Sequence, residues 1–173
     1  MSLRSRKLLV FTLAAGLAGC GGNNSKNSPT SPSGGPAAGT WTGTLTRPGS
    51  LAPMSVRWEA KAQGDYELVG PLTLTNGGTS VTITGKGATA GNDKSGYSIH
   101  MQLSSNPGDI AAFPNCSVRG NTAGSGTGDP FPQPYNTISV PAVDVSYSGC
   151  GGFVEYAPQS NFLQETAKLT LNK

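Results

Sequence analysis

Apolar residues recur at every second position over most of the chain, a period that admits strands and excludes amphipathic helices. Val56, Trp58, Ala60 and Ala62 alternate with Ser55, Arg57, Glu59 and Lys61, which predicts a strand with one buried and one charged face. Tyr66, Leu68, Leu72 and Leu74 continue the pattern, with Gly70-Pro71 marking a bend or bulge. Asn76-Gly77-Gly78 is a hairpin signal, because a tight two-residue turn needs positive φ, and it leads into Val81 and Ile83. Gly91-Asn92-Asp93-Lys94 reads as the next turn. Tyr97, Ile99, Met101 and Leu103 then alternate with Ser98, His100, Gln102 and Ser104.

Past Asn106 the alternation loosens. Cys116 and Val118 suggest a sixth strand. Ile138, Val140, Val143, Val145 and Tyr147 suggest a seventh, whose parity slips at Pro141-Ala142 as a bulge would make it. Ala167, Leu169 and Leu171 form the last strand, and Trp41, Gly43 and Leu45 the first, so about eight sequential antiparallel strands result. The 25 glycines and the 12% of charged residues suit short strands and tight turns better than helices. Short turns between neighbours give a meander. The fold class is all-β, and an up-and-down barrel closes such a meander without exposed edges; a flattened β-sandwich of the same strands is the alternative.

The N-terminus obeys a different pattern. Arg4, Arg6 and Lys7 precede an apolar run from Leu8 to Leu17, ten residues long, where a permanent membrane-crossing helix needs about 20. This is the layout of a signal peptide, residues 1–19, to be set aside from the fold. It ends in Leu17-Ala18-Gly19-Cys20, which resembles the lipobox of bacterial lipoproteins. The resemblance implies that Cys20 carries a diacylglycerol and becomes the mature N-terminus, so the membrane is a partner through that anchor. Two or more acyl chains, at about 0.8 kcal/mol per buried CH₂, hold a protein stably. Gly21, in place of an aspartate, implies the outer membrane in bacteria that have two membranes.

Residues 20–39 form the lipidated terminus and a tether. From Gly22 to Gly39 the chain has no aromatic and no β-branched aliphatic residue, so it has too little apolar surface to fold. Its reach is roughly 25 Å. With Cys20 lipidated, Cys116 and Cys150 remain as a pair in an oxidising compartment, and a structural disulfide between them is expected. Three of the 12 basic residues precede Cys20, so 12 − 3 = 9 stand against 9 acidic ones in the mature chain. A balanced charge gives no footprint for nucleic acid.

A second resemblance concerns the domain, residues 40–173. Gly39-Thr40-Trp41 is similar to the Gly-x-Trp that opens lipocalin-like barrels. Thr42-Gly43-Thr44-Leu45-Thr46 and Lys168-Leu169-Thr170-Leu171 resemble small Gly/Thr-rich barrel domains of bacterial lipoproteins. The C-terminal strand has no arginine to cover the Trp41 ring.

Candidate chemistry is sparse. His100, the single histidine, shares the polar parity of Ser98 and Gln102, with no nucleophile placed beside it. Asp65 and Glu67 fall two apart, on one face of one strand. The Gly124-Ser125-Gly126-Thr127-Gly128 run lacks the strand and helix that a phosphate cradle needs. Glu165 has the inward parity of Leu163 and Ala167, as a polar spot in a cavity would. Asp129 to Tyr135 carries Phe131 and Tyr135 on alternate prolines, either as a stiff contact loop or as rings packed over a barrel end. No catalytic residue, metal set or cofactor motif emerges, and an enzyme is not expected. The leading expectation is a small-ligand-binding barrel, taking a small apolar molecule or a glycan inside or at its mouth. Trp41, Phe131, Tyr135 and Glu165 are its candidate binding residues, and inward Gly43, Ala60, Ala62, Gly70 and Gly85 would leave it volume. The alternative is a filled barrel presenting loops to an envelope protein.

Overall fold

The computed structural model describes residues 38–92, 94–123, 128–131 and 135–173. The leader, Cys20 and most of the tether lie outside the described residues, as do Asp93, residues 124–127 and residues 132–134. Eight strands follow one another: β1 (Gly39–Thr46), β2 (Met54–Ala62), β3 (Glu67–Asn76), β4 (Thr79–Asn92), β5 (Gly96–Ser104), β6 (Ser117–Thr122), β7 (Thr137–Ser148) and β8 (Phe162–Asn172). Each pairs antiparallel with the next, and β8 pairs with β1, so the meander closes into a barrel. The even loops, β2–β3, β4–β5 and β6–β7, share one end with residue 38, the side of the expected tether. The odd loops share the other end.

The period-two pattern places the inner face as expected. Gly77 and Gly78 adopt φ of 55° and 89° and make the two-residue turn between paired Asn76 and Thr79. In β7 the ladder to β8 shifts between Val140 and Val143. Pro141 and Ala142 supply the extra residue there and keep apolar side chains inward on both sides of the slip. Three expectations need correction. Ala62 is exposed: it pairs with Leu68 of β3 but lies past Ala60, where the β1 ladder ends, at the rim of the barrel. Tyr66 is 59% exposed and sits with Asp65 in the β2–β3 turn, so Asp65 and Glu67 do not share a strand. Gly70-Pro71 holds regular register against β4 and makes no bulge; a Cβ at Gly70 would overlap the Glu59 carbonyl oxygen, so glycine permits a close approach to β2.

Cys116 and Cys150 form the expected disulfide, joining the β5–β6 and β7–β8 loops at the end away from the tether. Closing a 34-residue separation stabilises a domain by about 3–4 kcal/mol in the chain-entropy model. The loops it joins pack Phe113 against Phe153, and Asn76 Nδ2 donates to the Phe153 carbonyl at 2.6 Å. The closing seam depends on one missing side chain. Gly43 in β1 lies opposite Leu171 in β8, and a Cβ there would overlap the Thr170 carbonyl oxygen. Because backbone cannot yield as a flexible side chain does, Gly43→Ala is expected to destabilise the domain by about 2–3 kcal/mol. Thermal denaturation would register this as a clear drop in Tm, and an unchanged Tm would mean the seam tolerates a wider spacing.

Candidate functional site

The barrel interior is filled by side chains. Trp41, Trp58, Tyr147, Met54, Leu72 and Met101 are all fully buried. The inward glycines explain how so much volume fits. Trp58 donates its indole N–H to the Gly85 carbonyl at 3.3 Å. A Cβ at Gly85 would stand 2.9 Å from that nitrogen, and one at Gly87 would stand 3.1 Å from the far edge of the ring. The small residues therefore seat an indole; they do not leave space for a ligand.

One polar cluster lies within this core. Glu165 takes the inward position expected of it, but as half of an ion pair: Arg47 Nε donates to both of its carboxylate oxygens, at 2.8 and 3.0 Å. Tyr147 donates its hydroxyl to the same carboxylate at 3.3 Å. Arg47 and Glu165 are 7% and 5% exposed. Burial, then the negative charge of Glu165, holds the Tyr147 hydroxyl well above the usual tyrosine range. Sequence reasoning found the glutamate by parity and missed Arg47, which follows β1 and meets Glu165 across 118 positions of chain.

The other sequence-selected residues gather toward the tether end. Trp41 is fully buried, with Lys173 Nζ 5.9 Å from its ring centroid, so a lysine supplies the cation for which β8 has no arginine. Residues 128–131 replace the end of short β6. The Gly128 N–H donates to the Ile99 carbonyl, Asp129 to Ser139 and Phe131 to Tyr97, lacing the segment between β5 and β7. Phe131 is consequently buried, and Tyr97, Phe131 and Tyr135 pack ring against ring with centroids 5.1 to 6.2 Å apart. The rings plug a barrel end, as one of the two readings of this loop had it. Trp41, Phe131 and Tyr135 thus share one end and Glu165 stands near the other; they form no common site.

Concave features lie on the outer wall. A groove of about 470 Å³ runs over the outer faces of β4 to β8, with Val69 at one side and Phe162 at the other. Strand register builds its floor as two rows of outward side chains. Thr84, Ser104, Arg119, Ser146 and Gln164 stand abreast in one, and Lys86, Gln102, Asn121, Asp144 and Thr166 in the next. Its charges are engaged nearby. Lys86 pairs with Glu67 at 3.2 Å, Arg119 donates to Asn106 Oδ1 at 2.6 Å, and Asp144 accepts from the Thr166 hydroxyl. The carboxamides of Gln102, Asn121 and Gln164 have no side-chain partner among the described residues. Phe162 stands at the rim, 52% exposed.

His100 is half-buried on the outer face of β5. Among the described residues no group of three His, Cys, Asp or Glu side chains could hold a metal ion. No protein-family model matches the chain, and it matches no curated protein and no solved structure.

Two outcomes follow from the buried cluster. Glu165→Ala strands the Arg47 guanidinium in the core and is expected to cost about 3–5 kcal/mol, whereas Arg47→Met with Glu165→Leu recovers most of that loss; denaturant melts of the single and double variants compare them. The tyrosine adds a pH term. An unfolded tyrosine ionises near pH 10, and Tyr147 in the fold does so only higher. The stability it contributes is therefore complete below about pH 10 and is lost as pH rises beyond it. A difference ultraviolet titration against Tyr147→Phe should show the Tyr147 component ionising only as the barrel unfolds, and a component that titrates before unfolding would contradict this.

Proposed function

We propose that this protein is a non-catalytic binding module of the bacterial cell envelope, held at the outer membrane by lipid on Cys20, that engages its partner across the outer groove. One observation carries the reading: the interior is packed with side chains, while the concavity with unpartnered hydrogen-bonding groups lies on the flank. Pockets that bind usually pair a concave shape with a few convergent polar groups. The groove has both, whereas the interior holds the fully buried Trp41, Trp58 and Tyr147, and its buried side-chain polar atoms all have partners among the described residues.

A small apolar ligand inside the barrel would need the volume taken by Trp41, Trp58 and Tyr147. Loops presented to an envelope protein would need the Phe131 and Tyr135 rings turned outward, away from Tyr97. Neither arrangement draws support from the packing. The flank suits a tethered domain, because strands β4 to β8 stay open to solvent while the plugged end faces the tether. Acid–base chemistry has little to work with, since Glu165 is engaged by Arg47 and Tyr147.

Photo-crosslinking in living cells tests this. A crosslinkable residue at Gln102 or Gln164 of the full chain is expected to give discrete adducts, and one at Ser55, exposed on distant β2, is not. Cys20→Ser should move the chain from the membrane fraction to the soluble one. Equal labelling at all three positions, or a serine variant that stays with the membrane, would remove the basis of the proposal.

A further inference from the structure

We infer that the outer groove binds an uncharged glycan chain lying across strands β4 to β8. The inference rests on the groove being the binding site and adds the class of ligand.

The geometry narrows the occupant by elimination. An extended peptide binds a sheet most simply by adding a strand at a free edge. Here β1 and β8 pair over Thr42–Thr46 and Lys168–Asn172 and close the barrel, so among the described residues no whole strand is left as an edge. A polyanion, nucleic acid included, needs a surplus of cations. The groove holds Lys86 and Arg119 against Asp144, and Glu67 offsets Lys86 at 3.2 Å. An apolar tail would bury the free amides of Gln102, Asn121 and Gln164 without partners, each at a cost of about 1–3 kcal/mol.

What remains must offer hydroxyls in quantity and a small apolar face. Each carboxamide presents donors and an acceptor, and a sugar hydroxyl is both, so amide and hydroxyl match in either sense. Gln102 and Asn121 stand side by side on β5 and β6, and Gln164 lies two strands further on. Five strands at roughly 4.8 Å spacing trace about 19 Å of arc along the barrel wall, long enough for several linked sugar rings. At the β8 rim the exposed Phe162 ring presents an electron-rich face, against which the C–H face of a pyranose packs. Between the rows only the backbone of Gly120 borders the groove, because its inward position faces Leu103 in the core.

The full-length chain in detergent, applied to an array of uncharged glucans, mannans, galactans, xylans and chitin oligomers, tests this. Retention on at least one of these classes is expected. Asn121→Ala and Phe162→Ala should each weaken it tenfold or more, Ser55→Ala should leave it unchanged, and added salt should have little effect. Melting curves establish that the variants fold. Absence of retention on every uncharged glycan overturns the inference, as does retention only on acidic glycans that salt abolishes, or retention that both groove variants keep. The two proposals separate cleanly. Protein adducts from Gln102 or Gln164 together with an empty array leave the groove as the binding site and end the glycan reading, whereas no adducts and an empty array end both.

Discussion

The closing ladder between β1 and β8 is the constraint from which the rest descends. An open meander of eight strands would keep two edges and could flatten into a sandwich; closure removes both edges and forces every alternate side chain into one enclosed volume. That volume is fixed by strand number, so the inward residues must fill it with little slack. The chain meets the demand with unequal partners. Two tryptophans and a tyrosine supply bulk, and Gly85 and Gly87 withdraw to accommodate the Trp58 ring. At Gly43 and Gly70 the same residue type does something else, letting neighbouring backbones approach where the sheet curves sharply. An inventory of inward glycines therefore says nothing about empty space until each has been set against what faces it.

Arg47, Glu165 and Tyr147 make the one costly concession inside this core. Taking two charges out of water is repaid only by good geometry, and apolar replacements often do as well. The single Nε–H of Arg47, shared between both carboxylate oxygens, and the Tyr147 hydroxyl together engage the glutamate. The effect is positional: it ties the chain just past β1 to the inner faces of β7 and β8, beside the closing seam. Together with the Cys116–Cys150 bridge between two loops at the same end, it fixes the end of the barrel away from the tether. The opposite end is held by ring packing and by the backbone bonds of residues 128–131.

How legible this was depended on the range of the interactions involved. Period-two alternation is local, and it revealed eight strands, the Gly77-Gly78 turn, the slip at Pro141-Ala142 and the inward side of Glu165. The two free cysteines of the domain made their own pairing plain. Partners across the sheet were not legible, because register between β5, β6 and β7 depends on loops without a regular pattern. Nothing in the alternation marks Arg47, which follows the last residue of β1. The loop from Asp129 to Tyr135 left two readings open, a stiff contact loop and rings packed over a barrel end, because nothing local says that β6 stops at Thr122 and leaves a gap for residues 128–131. Gln102 was recognisable as outward-facing, but its neighbours Asn121 and Gln164 belonged to strands whose register could not be read.

The same closure that hides the interior determines how such a protein can recognise anything. With main-chain edges consumed and the core packed, contact falls to outward side chains, and their pattern is the pattern of the register. A closed barrel is convex around its girth, but twisted strands make it concave along its axis, so side chains near the waist can line a shallow groove. On β4 to β8 that groove is floored by short hydroxyls and carboxamides, while the exposed charges of Arg57 and Glu59 sit away from it on β2. A surface with many weak donors and acceptors and little net charge gains affinity by adding small contacts along an extended ligand.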